Sequence, residues 1–130
     1  MNADEELLHA NCASRVRAMQ RYHVEEKGWL DVAYNFMTCR HGFVFAGRGF
    51  GVRSAANGTK DANDQYFAVC FLGDDSAGRA DVTPEAREAL RQLIGEYRRR
   101  YPKAREVRPH SDFFATECPG DELRALISEF

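Results

Sequence analysis

Leu8, Cys12, Val16, Met19 and His23 recur at steps of three and four, which places them on one face of a helix. Asn2 followed by Glu5 has the form of a capping box, so a helix of about twenty residues is expected before Gly28 ends it. A strand follows from Val32 to Cys39. His41 and Gly42 supply a turn, and Phe43 to Ala46 completes a hairpin. The stretch from Gly47 to Lys60 is rich in Gly, Asn, Ser and Thr, the composition of an ordered loop of the kind that carries function. Tyr66 to Leu72 is a nearly unbroken apolar run, read as a further strand.

The strongest helix signal lies beyond a polar loop from Gly73 to Asp81. Thr83 is placed as N-cap and Pro84 at the first helical position, with Leu90, Leu93, Ile94, Tyr97 and Tyr101 on one face. Arg98, Arg99 and Arg100 close it, where cations complement the helix dipole. A strand from Arg105 to Pro109 and a helix opened by Cys118, with Leu123, Leu126, Ile127 and Phe130 as its apolar face, complete the pattern. The order is helix, hairpin, strand, helix, strand, helix. Each amphipathic helix needs an apolar surface to cover, so the expected architecture is α/β: a mixed central sheet flanked by helices, one domain over residues 1–130.

Composition adds exclusions more than assignments. Hydrophobic residues make up 44% and charged residues 29%, and the net charge of -2 exerts no long-range pull on nucleic acid or anionic membrane. The three arginines lack an aromatic stacking platform or a second basic patch, so no nucleic-acid partner is expected. No apolar run reaches the roughly 18 residues of a membrane span. The start, Met1 to Glu6, is acidic rather than basic, and no signal peptide is expected. Cys70 sits in the apolar run and reads as a buried core thiol. Cys12 and Cys39 meet only if the first helix packs on the hairpin, so a reduced state is the default and a Cys12–Cys39 bridge the alternative.

Chemistry concentrates near the end of the chain. His110 and Cys118 stand eight residues apart across a polar loop, and imidazole with thiolate is the donor pair a borderline-soft ion such as zinc prefers. Pro119 fits the first position of the helix, with Asp121 and Glu122 in its first turn, so the Cys118 sulfur would meet a helix N-terminus that favours its ionised form. His23, on the apolar helix face, and His41, at a hairpin turn, are read as structural.

Five blocks then occur in a set order: Gln20 to His23 (QRYH), Gly28 to Phe36 (GWLDVAYNF), His41 to Gly49 (HGFVFAGRG), Asn63 to Gly73 (NDQYFAVCFLG) and His110 to Gly120 (HSDFFATECPG). Together they resemble the peptidoglycan recognition protein and type-2 N-acetylmuramoyl-L-alanine amidase family, which includes phage endolysin amidase domains. The likeness runs from about Val16 to the C-terminus. It implies a domain that binds one zinc through two histidines and a cysteine, leaves the fourth position for water, and cleaves the amide between the lactyl group of N-acetylmuramic acid and L-alanine.

By that resemblance His110 and Cys118 match the last two zinc ligands, Tyr34 matches the tyrosine set against the metal-bound water, and Thr116 matches a lysine or threonine position. A zinc with three protein ligands lowers the pKa of its water to about 7 and polarises the scissile carbonyl. Tyr34 would orient that water and Thr116 would donate to the developing oxyanion. Arg48 is a candidate for stem-peptide carboxylates, and Asn57 and Asn63 for its amides. Phe50 stands where the family often has tryptophan, and the family's histidine near Ala56 is lacking.

The first ligand departs from the family's pattern, in which a histidine ends a strand ahead of the helix. His9 is the one histidine upstream of that helix's family-like segment. Either Glu6 to His9 is a compressed version of the strand and His9 completes the site, or the chain lacks that ligand. The expected activity is therefore a zinc amidase on peptidoglycan, with a catalytically silent wall-binding module as the alternative. A cysteine hydrolase using Cys118 and His110 ranks third, since no orienting Asp or Asn is evident. A monomer is expected, cytoplasmic until release and acting on the bacterial cell wall.

Overall fold

The structure is a computed structural model and describes residues 2–29, 31–56, 60, 63, 66–72, 82–104, 106–108 and 125–130. Helix α1 runs Ala3–Arg21, and its first turn is closed as the sequence implies. The Asn2 side chain accepts from the Glu5 N–H at 2.8 Å and the Glu5 carboxylate accepts from the Asn2 N–H at 2.8 Å, so two otherwise orphaned donors are satisfied reciprocally. After Arg21 the helix widens into a π-helical turn, Tyr22–Glu26, and Gly28, at φ 71°, takes the left-handed conformation that lets the chain leave.

Among the described residues three short strands follow: β1, Phe36–Cys39; β2, Val44–Ala46; and β3, Val69–Leu72. The sheet order is β2-β1-β3. β1 pairs antiparallel with β2, with Met37 opposite Phe45, and parallel with β3, with Met37 opposite Cys70. The sheet is mixed, as expected. Every residue of the central strand is buried, because alternate side chains meet different helices. Met37, Cys39 and Leu72 join Cys12, Val16 and Met19 of α1 on one face. Phe36, Val69 and Phe71 lie on the other with Leu90, Leu93 and Tyr97 of helix α2, Pro84–Arg100.

Thr83 caps α2 by accepting from the Ala86 N–H at 3.1 Å, and its hydroxyl also donates to the Arg40 carbonyl in a very short contact. One side chain thus starts the helix and latches it to the hairpin turn. Burial lifts the Tyr97 phenol well above its usual pKa, and its oxygen finds no hydrogen-bond partner among the described residues.

Several expectations change, and the strand read from Tyr66 to Leu72 begins only at Val69. Cys12 and Cys39 form a disulfide, with Cα atoms 6.3 Å apart, because α1 does pack on the hairpin. Cys70 is half-buried rather than fully buried. Strand pairing begins at Phe36 rather than Val32, since the backbone ahead of it bonds to side chains and to the Gly47 loop. The strand placed at Arg105 to Pro109 does not appear among its described residues; there Glu106 pairs with Arg108 at 2.7 Å and accepts from the Tyr66 hydroxyl at 2.9 Å. Of the last helix the described end is a 3-10 turn, Ile127–Glu129, and its expected apolar residues Leu126 and Phe130 do pack against Val82 and Leu90.

Candidate functional site

Residues 31–35, just ahead of β1, have no ladder partners, yet their polar groups are almost all engaged. Asp31 accepts from the Val32 N–H at 2.7 Å and from the Gln20 side chain at 3.0 Å, tying this segment to α1. The Ala33 N–H donates to His23 Nδ1 at 3.0 Å, and the Ala33 carbonyl accepts from the Ala55 N–H at 2.9 Å. The Val32 carbonyl accepts from Arg48 Nε at 2.7 Å, and the Tyr34 carbonyl accepts from the Arg48 N–H at 2.9 Å. Tyr34 therefore stands on a backbone pedestal fixed from three sides.

Asn35 is the centre of that pedestal and is fully buried. Its amide nitrogen donates to the carbonyls of Gly49 at 3.0 Å and Val52 at 2.6 Å, and its side-chain oxygen accepts from the Ala68 N–H at 2.8 Å. Its own carbonyl accepts from Gly47 at 2.9 Å and Gly49 at 3.0 Å. One amide side chain thus joins β1, the approach to β3 and the glycine-rich loop, with both of its N–H donors and its oxygen engaged. Sequence reading passed over it. The available signal was a lone asparagine inside the apolar run VAYNFMTC, a place where a polar residue needs a fully paired environment.

His23 lies behind this pedestal. Its ring centroid is 4.9 Å from that of Trp29 and 6.2 Å from that of Tyr34. Because Nδ1 accepts a hydrogen bond, the imidazole is neutral with its proton on Nε2. Burial, with the Lys27 and Arg48 cations nearby, pushes its pKa below the usual 6.5. Two cations, Lys27 and Arg48, thus act on His23, while the Asp31 carboxylate lies on the same segment as Tyr34.

The expected site residues fall into three groups. Tyr34 and Arg48 come together, Arg48 also donating to the Arg53 carbonyl at 3.2 Å, and Asn63 adjoins them through the buried Ser54, whose hydroxyl lies 3.5 Å from the Asn63 side-chain oxygen. Asn57, His110, Thr116 and Cys118 lie outside the described residues. His9 is set apart: Glu6 to His9 is helical, so the compressed-strand reading is overturned, and the His9 ring lies 5.0 Å from Phe43 and 5.1 Å from Phe45. His23 follows fourteen helical steps after His9, about 20 Å at the helical rise. Among the described residues no three His, Cys, Asp or Glu side chains gather into a metal-holding group.

Comparison with known proteins bears on what this corner is for. Residues 2–121 match the family described as N-acetylmuramoyl-L-alanine amidase. The chain is 36% identical over 121 residues to the endolysin of Enterobacteria phage K11, covering 91% of this chain and 78% of the endolysin. It is 34% identical over 124 residues to the N-acetylmuramoyl-L-alanine amidase of Sus scrofa, covering 91% of this chain but 20% of that protein's length, so the relative is much the longer of the two. Among solved structures, wild-type Drosophila peptidoglycan recognition protein LB superposes with a TM-score of 0.81 at 30% identity, covering 92% of this chain and 69% of that one. A point mutant of that protein, solved in complex with tracheal cytotoxin, superposes at 0.78 with 28% identity, covering 92% of this chain and 69% of that one.

Proposed function

The chain belongs to the N-acetylmuramoyl-L-alanine amidase family, and from that premise we propose that it is a zinc-dependent amidase of peptidoglycan, cleaving the bond between the lactyl group of N-acetylmuramic acid and L-alanine. The observation that supports it most is the Tyr34 corner: a tyrosine held on a hydrogen-bonded pedestal, with Arg48 beside it. Preorganisation of this kind lets a side chain orient a reactant without rearranging at the moment of reaction.

In this reading Tyr34 orients the attacking water, and Thr116 donates a hydrogen bond to the amide oxygen as it gains negative charge. Arg48 contributes positive potential toward stem-peptide carboxylates, and Asn57 and Asn63 take its amides. Two N–H groups of Arg48 are committed to the Val32 and Arg53 carbonyls, so its share is positional charge more than a free fork. His110 and Cys118 are the proposed holders of the ion, since imidazole and thiolate suit zinc. When bound, zinc supplies Lewis acidity at the scissile carbonyl.

The second reading, a silent module that binds muramyl peptide, is favoured by one observation: His9 packs between Phe43 and Phe45, a helix length from the His23 end where Tyr34 lies. A site with two ligands holds zinc weakly and polarises less. Elemental analysis combined with release of L-alanine N-termini from purified wall separates the two. Stoichiometric zinc and chelator-sensitive release support the amidase; wall binding with neither sinks it in favour of the module. Release that survives chelation and stops on thiol alkylation would instead revive the cysteine hydrolase.

A further inference from the structure

The connection between α1 and β1 places two large aromatic side chains at the surface. The π-helical turn Tyr22–Glu26 is of a type that occurs mostly as single turns, often beside functional sites. Tyr22 within it is 51% exposed, and Trp29, just past the Gly28 reversal, is 36% exposed. Both flank one imidazole: the His23 centroid lies 5.9 Å from Tyr22 and 4.9 Å from Trp29. The Ala33 N–H holds that imidazole in place, so the middle of the row cannot turn away.

Polar groups border the row. Gln20 and Asp31 form an exposed pair at 3.0 Å, and the Lys27 ammonium stands over the Tyr22 ring, 5.8 Å from its centroid, so a sugar stacking on that face displaces it toward the rim. A pyranose of a β-1,4-linked N-acetylhexosamine chain has a face of C–H groups and a rim of hydroxyls and acetamides. The negative face of an aromatic ring attracts the former, and amide, carboxylate and ammonium groups suit the latter.

From this arrangement we infer that Tyr22 and Trp29 form a stacking platform for the glycan chain of the wall polymer. The inference rests on the reading that this chain acts on peptidoglycan, and it extends that reading from the peptide to the sugar. The His23 and Tyr34 rings are 6.2 Å apart, so the platform adjoins the corner assigned to the stem peptide.

Trp29 is the single tryptophan of the chain, so its emission reports on the platform directly. Titration of the full chain with chitotetraose, a peptide-free N-acetylglucosamine oligomer, is expected to change that emission saturably. Tyr22→Ala is expected to weaken the binding roughly five- to tenfold, while Tyr22→Phe keeps it. Tyr22 is exposed, so the core survives its loss, and circular dichroism checks this. An emission that does not respond, with calorimetry equally flat, overturns the inference, as does unchanged affinity in Tyr22→Ala. The amidase reading fails by a different result: a chain that binds chitotetraose yet neither cleaves wall nor retains muramyl peptides.

Discussion

His23 ties stability to pH through a single imidazole. Its folded pKa lies below 6.5, so as pH falls the unfolded chain takes up a proton before the native chain does. The contribution is complete above the unfolded value and is lost as pH falls through the folded one. Urea denaturation should show an acid-side decline that His23→Asn, which keeps an acceptor toward the Ala33 N–H, makes shallower. An unchanged decline in that variant would remove His23 as its source. Gly47 is constrained in another way. A Cβ there would overlap the Tyr34 carbonyl and come within 2.7 Å of Val32 Cγ2. Gly47→Ala should therefore cost about 2 kcal/mol, in the range of overpacked sites, and lower the melting temperature. A melting temperature equal to wild type would show that the pedestal is softer than its hydrogen bonds imply.

Elements differ in how openly the chain announces them. The capping box at Asn2 and Glu5 and the Thr83-Pro84 start are local chemistry, so both long helices were legible in the sequence. The first half of the expected Val32 to Cys39 strand was not, because its hydrogen bonds go to His23, Asp31, Arg48 and the Gly47 loop, partners that a period of two cannot reveal. The disulfide was open to either outcome, since its formation depends on how α1 lies on the hairpin. α1 buries little besides Cys12, so the link should matter to its docking. Replacing both Cys12 and Cys39 by serine is expected to cost about 2–4 kcal/mol for the 27-residue separation, read from denaturant midpoints. A change within error would mean that apolar packing alone seats the helix.

At the scale of the molecule, the family was legible from ordered blocks well before any geometry, and the mixed sheet with a helix on each face followed from amphipathic pattern. The composition of the site was only partly legible. Tyr34 and Arg48 were candidates from the blocks, whereas Asn35 and the placing of Tyr22 and Trp29 around His23 emerge from three-dimensional placement. The place of His9 on the far part of α1 leads to a direct expectation for metal loading. His9→Ala should leave zinc content unchanged, and His110→Ala should lower it severalfold, as loss of a true ligand does. Loss of zinc in His9→Ala, with the fold intact, would return that residue to the site.

The bridge between Cys12 and Cys39 has a further consequence. Tyr22, His23, Trp29 and Tyr34 all lie between its two ends, so the aromatic row and the candidate catalytic tyrosine belong to one covalently closed ring of chain. A protease that cuts the exposed turn around Lys27 would nick this ring without releasing a fragment, and the two pieces would part only under a reductant.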